Sequence, residues 1–178
     1  MRKTIMLLAV TTSLVMACCT PQRDKDLVNI QQYENSIDLQ NNKVDSLVGN
    51  NLITMYIDFA SKYPTDSLAP MYIMKAADVS ANIGNTAIAI KYLDKVIAEY
   101  PSFEKRPDCY FFKGFIYETV ACDNNKAKEA YTAFIEEYPN HPLVNDTKTI
   151  INNLSLSDED IIKMIMDEGG YGNCYQAQ

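Results

Sequence analysis

The chain has 178 residues, and its 16 Lys and Arg against 23 Asp and Glu give a net charge of −7. That length suits a single domain with its own core. The acidic balance argues against nucleic acid, and against adhesion to anionic lipid through a basic patch, because like charges repel.

Met1-Arg2-Lys3 is a short positive head, and Thr4 to Met16 then runs without a charge and is mostly apolar. That run falls short of the ~20 residues a membrane-spanning helix needs. A basic head, a short apolar run and a small-residue exit read as a secretory signal that is removed. The exit, Leu14-Val15-Met16-Ala17-Cys18, resembles the lipobox of bacterial lipoproteins. Val15 stands at the branched apolar position and Ala17 at the small residue before the cut. Met16 departs from the usual small or β-branched residue. The resemblance implies that residues 1–17 are cleaved and that Cys18 receives lipid, anchoring the chain to a membrane. Cys19 follows directly, so the Asp that retains proteobacterial lipoproteins at the inner membrane is missing. This points to the outer membrane; separately, the periplasmic face is expected rather than the cell surface. Loss of Arg2 and Lys3 would leave the remainder still more acidic. Residues 18–26, ending in Thr20 to Asp26, are polar and read as a lipidated tether.

Residues 27–168 read as one helical repeat domain. Tyr63-Pro64, Tyr100-Pro101 and Tyr138-Pro139 recur every 37 to 38 residues, and a period in this range is a mark of repeat architectures. Leu52, Tyr56, Phe59 and Pro64 are spaced by four, three and five. Ala89, Leu93, Val96 and Pro101 repeat those intervals, as do Ala127, Tyr131, Phe134 and Pro139. Spacings of four and three place apolar residues on one helical stripe, and each Pro ends its helix. A first helix precedes the second in the middle unit, from Pro70 to about Ile83, and another starts near Pro107. Leu27 to Leu39 matches such a helix only loosely. One extra residue in the third unit is expected to be absorbed around Asp123-Asn124-Asn125.

These spacings resemble the tetratricopeptide repeat. Ala76 and Ala77, and later Gly114, stand where that family has small residues for close helix crossing. Gly84 stands at its turn glycine and Tyr117 at an aromatic position. Ile73 replaces the aromatic expected near the start of the middle unit. The implied fold is all-α, a right-handed α-solenoid of about three tetratricopeptide-like helix pairs with C-terminal capping helices. Short helices of this kind are marginal alone and become stable by stacking. The caps are expected from about Pro142 to Leu154 and again from Ser157, with Ile161, Ile162 and Ile165 buried and Gly169-Gly170 as the stop. Residues 169–178 read as a flexible tail.

Cys19, Cys109, Cys122 and Cys174 remain beyond Cys18. Cys109 and Cys122 fall near opposite ends of one expected helix, about 20 Å apart, beyond disulfide reach. The pairing of Cys174 stays open. No metal signature, phosphate loop or nucleophile elbow is evident, so no cofactor and no enzyme activity are expected. The one histidine, His141, reads as an exposed turn residue, and Asp158-Glu159-Asp160 as favourable charge at a helix N-terminus. Two Asp-Ser-Leu triplets, containing Ser46 and Ser67, match a short O-glycan acceptor pattern of exported bacterial proteins.

In the tetratricopeptide family the first helices line a concave face. Transfer by alignment gives Met71, Met74 and Asp78 in the middle unit and Asp108, Phe111, Phe115 and Glu118 in the third. Together they read as an apolar groove edged by carboxylates, suited to a protein partner with a basic or apolar segment. Met74 and Asp78 replace the Lys and Asn that clamp chaperone C-termini, which disfavours that role. The Tyr138-to-Pro142 run resembles repeats of the lipoprotein of the outer-membrane barrel-assembly machine and of envelope-constriction coordinators. A binding scaffold in outer-membrane assembly or envelope maintenance is therefore the leading expectation. A homo-oligomerisation module and a lipoprotein that captures surface glycan are the rivals.

Overall fold

The computed structural model describes residues 21–37 and 45–156, and within them every regular element is an α-helix. These are α1 (Gln22–Ser36), α2 (Ser46–Lys62), α3 (Ala69–Asn82), α4 (Thr86–Glu99), α5 (Arg106–Thr119), α6 (Asn124–Glu137) and α7 (Val144–Asn153). Each helix packs on the next in chain order. The architecture is an all-α helical-repeat solenoid, as the periodicity requires. The expected signal, Cys18, the second capping helix, the tail and Cys174 all lie outside the described residues.

The three Tyr-Pro pairs build one backbone turn used three times. Tyr63, Tyr100 and Tyr138 have nearly the same conformation, with φ of −128°, −125° and −130°. Each donates its N–H to the last helical stripe residue, Phe59, Val96 or Phe134, and the following Pro then breaks the ladder. Each Tyr carbonyl accepts from the N–H three residues on, whose own carbonyl accepts from the N–H three further. These chains run Tyr63–Asp66–Ala69, Tyr100–Phe103–Arg106 and Tyr138–His141–Val144, and each ends on the first residue of a new helix.

Within a unit the turn differs. Gly84 takes φ +79° and Asn85 N–H bonds to the Ser80 carbonyl at 2.7 Å. In the third unit Cys122 takes φ 50° and Asp123 N–H reaches the Tyr117 carbonyl at 2.8 Å, one residue further back. The extra residue of the third unit is therefore absorbed between Tyr117 and Asp123. It does not lie around Asp123-Asn124-Asn125 as expected, because Asp123 is already the cap of α6, accepting from Lys126 N–H at 3.0 Å.

The cores are continuous across units. Ile73, Ala77, Leu93, Val96, Cys109 and Ile116 are fully buried in one cluster spanning α3, α4 and α5. Leu52, Tyr56, Phe59, Ala76 and Val79 form a second between α1, α2 and α3. Burial pushes the Cys109 thiol up to about 12. The small-residue positions set the helix approach. A Cβ on Gly114 would lie 2.4 Å from the Tyr131 ring, whereas unit two faces Ala77 with the smaller Leu93 in the same register.

Two boundaries differ from the sequence expectation. Residues 22–26, read as part of a tether, are the first turns of α1. They are ordered by bonds to α2 and the α2–α3 link, which local composition does not reveal. The fourth unit starts at Val144 rather than Pro142, because the repeated turn places the helix start six residues after Tyr138. On α7, Lys148 and Asn152 stand where α3 has Ile73 and Ala77 to receive a second helix, and both are exposed. This face of α7 is therefore polar where the earlier units receive a helix.

Candidate functional site

A helix cannot present every side chain outward, and the stripes of α3 and α5 decide which of the expected groove residues are accessible. On α3, Ala69, Ile73 and Ala77 lean into the cluster with α4, and Ala76 and Val79 into the cluster with α2. Spacings of three and four then put Met71, Met74 and Asp78 on the remaining stripe. Asp78 is exposed, Met71 is half-buried, and Met74 rests against the α3–α5 core.

On α5 the expected set divides. Phe111, Gly114 and Glu118 form the stripe facing α6. The Phe111 ring lies 5.3 Å from that of Tyr131 and 5.8 Å from that of Phe134, and Glu118 accepts the Tyr131 hydroxyl at 2.7 Å. Phe111 and Glu118 are thus occupied in joining the two helices of their own unit rather than lining an open groove. Asp108 and Phe115 share the outward stripe with Phe112, and Phe115 is 44% exposed. Phe112 was missed by the alignment. It packs against the core, and its ring stacks on Phe115 at 6.1 Å with 26° between planes. Its position three residues before Phe115 was the available signal.

The electrostatics of this face are lopsided. The carboxyl of Asp78 is held above its ordinary range because its surroundings shed water, although Asn82 Nδ2 donates to it at 3.3 Å and pulls the other way. By area the residue is exposed, so the crowding is local to the carboxyl. No ion pair reaches Asp78 or Asp108 among the described residues, whereas Asp94 is bonded to Lys113 at 2.5 Å. The nearest cations on the same helices, Lys75 and Arg106, are engaged elsewhere. Lys75 pairs with Glu34 at 2.8 Å. Arg106 donates to the Ile97 carbonyl at 3.0 Å, to Glu137 at 2.9 Å and to the Tyr138 hydroxyl at 2.7 Å.

Other singled-out residues fall as follows. His141 is half-buried rather than exposed. Its ring lies edge-on to Phe134 at 5.1 Å, and its Nδ1 accepts the Leu143 N–H at 3.3 Å, because the repeated turn folds it back under α7. Ser67 is exposed in the α2–α3 link, and Ser46 is exposed as the first residue of α2.

Residues 72–102 and 114–141 match the tetratricopeptide repeat family. The matched stretches cover most of the middle and third units, the two whose spacing is most regular. No curated protein matches the chain. Tetratricopeptide repeats generally mediate protein–protein interaction.

Proposed function

We propose that this protein is a lipid-anchored scaffold of the bacterial cell envelope that holds a partner segment against the outward stripes of α3 and α5. The observation that carries the reading is the pairing of exposed apolar surface with carboxylates that lack cations. Phe115, stacked on Phe112, and the two methionines offer an adaptable apolar strip. Asp78 and Asp108 flank it without internal salt bridges, and Asp78 carries its charge at a cost that a cation would relieve. A segment with an apolar anchor beside Lys or Arg fits this chemistry. Membrane attachment would come from acyl chains on Cys18, since the acidic chain offers no basic patch.

The test is photo-crosslinking of the native protein in cells with captured proteins identified, repeated with Phe115→Ala and with Asp78→Asn. Both side chains point away from the buried clusters, so helicity should be retained. Capture should fall in both variants. Undiminished capture by both would remove the α3–α5 face from the proposal. A homo-oligomer as the sole crosslinked species would favour an assembly module instead. Separately, Cys18→Ser should abolish incorporation of labelled fatty acid.

A further inference from the structure

The helices α2 to α6 each bury several side chains, but α1 does not. Ile30 is its one buried side chain among the described residues, with Leu27, Tyr33 and Ile37 only partly covered. Its seat is defined instead by three polar clamps. Arg23 donates through Nε and Nη2 to the two Asp66 oxygens at 2.5 and 3.2 Å. Asp26 accepts from Lys62 Nζ at 2.6 Å and from the Tyr63 hydroxyl at 2.9 Å. Glu34 accepts from Lys75 Nζ at 2.8 Å and from the Tyr56 hydroxyl at 2.7 Å. Arg23, Asp26, Ile30 and Glu34 are spaced by three, four and four, so one stripe of α1 carries all three clamps and the buried residue.

The aromatic side chains under α1 also contact one another. The rings of Tyr56 and Phe59 contact Tyr72 at 5.4 and 4.9 Å, and Phe59 contacts Tyr63 at 5.0 Å. These are contacts within α2, its terminal turn and α3, and the Lys75 ammonium lies over both Tyr56 and Tyr72. The α2–α3 seam continues through Ala76 and Val79, and it leads into the core shared with α4 and α5.

We infer that α1 is a releasable strap, a helix that lifts as a unit from α2 and α3 while α2–α7 stay folded, uncovering a tyrosine-rich flank of the array. Each clamp joins a solvent-accessible cation to a half-buried carboxylate, so it stays open to screening by salt and stabilises modestly, and one buried Ile cannot replace it. Segments with few buried apolar contacts are those that open below the global unfolding threshold. The clamp carboxylates are well matched to their cations. The Lys62 ammonium, with Gln22 and Tyr63, holds Asp26 down to about 2, and Arg23 lowers Asp66.

Hydrogen exchange of the full chain, read by peptide mass, tests this. Amides of α1 should exchange about tenfold or more faster than those of α4 and α6. Arg23→Met, Asp26→Asn and Glu34→Gln, combined in one variant, remove the three clamp charges of α1 and leave the sequence of α2–α7 unaltered. They should speed α1 exchange by about another tenfold, with α4–α6 unmoved. Raising NaCl to about 1 M should act in the same direction. The inference is overturned if α1 exchanges at the same rate as α4 and α6. It is also overturned if the triple variant loses protection throughout the array, or if neither salt nor substitution changes α1.

Discussion

The contact between Gly114 and Tyr131 can be tested by adding one carbon. A Cβ at position 114 would fall 2.4, 2.5 and 2.8 Å from three atoms of the Tyr131 ring. The ring has little room to yield. It is fully buried, its hydroxyl is held by Glu118 at 2.7 Å, and Phe111 lies against it at 5.3 Å. Overpacking of this kind costs about 1–3 kcal/mol. Replacing Gly by Ala inside a helix returns roughly 0.5–1 kcal/mol. Gly114→Ala should therefore destabilise by up to about 2.5 kcal/mol, visible as a lower urea midpoint with an unchanged slope. The middle unit supplies the compensating partner, since Ala77 there faces Leu93. In a double-mutant cycle, Gly114→Ala with Tyr131→Leu should cost less than the two single changes combined, with a coupling of about 1–3 kcal/mol. Stabilisation by Gly114→Ala alone, or strict additivity in the cycle, would refute the reasoning.

The two left-handed positions among the described residues should respond in opposite directions. Gly84→Ala meets no atom within 4 Å but must adopt φ +79°, so it should destabilise by about 1–2 kcal/mol through the backbone alone. Cys122→Gly relieves the same conformation at φ 50° and should raise the thermal midpoint. Acid should release α1 first. Asp26 sits at about 2 when folded against an ordinary 3.8, a depressed value, so its contribution is complete above pH 4 and is lost as the pH falls towards 2. Glu34 follows the same sign, since bonds from Lys75 and Tyr56 outweigh the upward push of burial. Exchange of α1 amides should rise through that window before the remaining helices respond. Asp78 has the opposite sign, because its carboxyl is raised on folding, so Asp78→Asn should raise the midpoint near neutral pH.

Spacing and turn chemistry made the repeats legible because both act over a few residues. Leu93 and Val96, or Tyr131 and Phe134, declare a helical stripe by interval alone, and Tyr-Pro declares its end. The same local grammar made Gly84 and Gly114 readable as a turn and a close crossing. Local signals could not separate Phe111 from Phe115, since both are aromatic residues on one helix. Which of them meets solvent depends on where α6 lies, and that is set by the Gly114–Tyr131 approach. Nor could composition identify α1. Its stripe is polar, and its partners Lys62, Asp66 and Lys75 are some forty residues away.

The sequence by itself determined the repeat helices that follow α1, their period and their stops, because backbone geometry and proline sterics are local. Only the tertiary structure decided which faces are covered, which carboxylates keep a cation and that α1 packs on the repeats. Those outcomes depend on side chains from separate helices meeting in space, and no interval along the chain encodes that meeting.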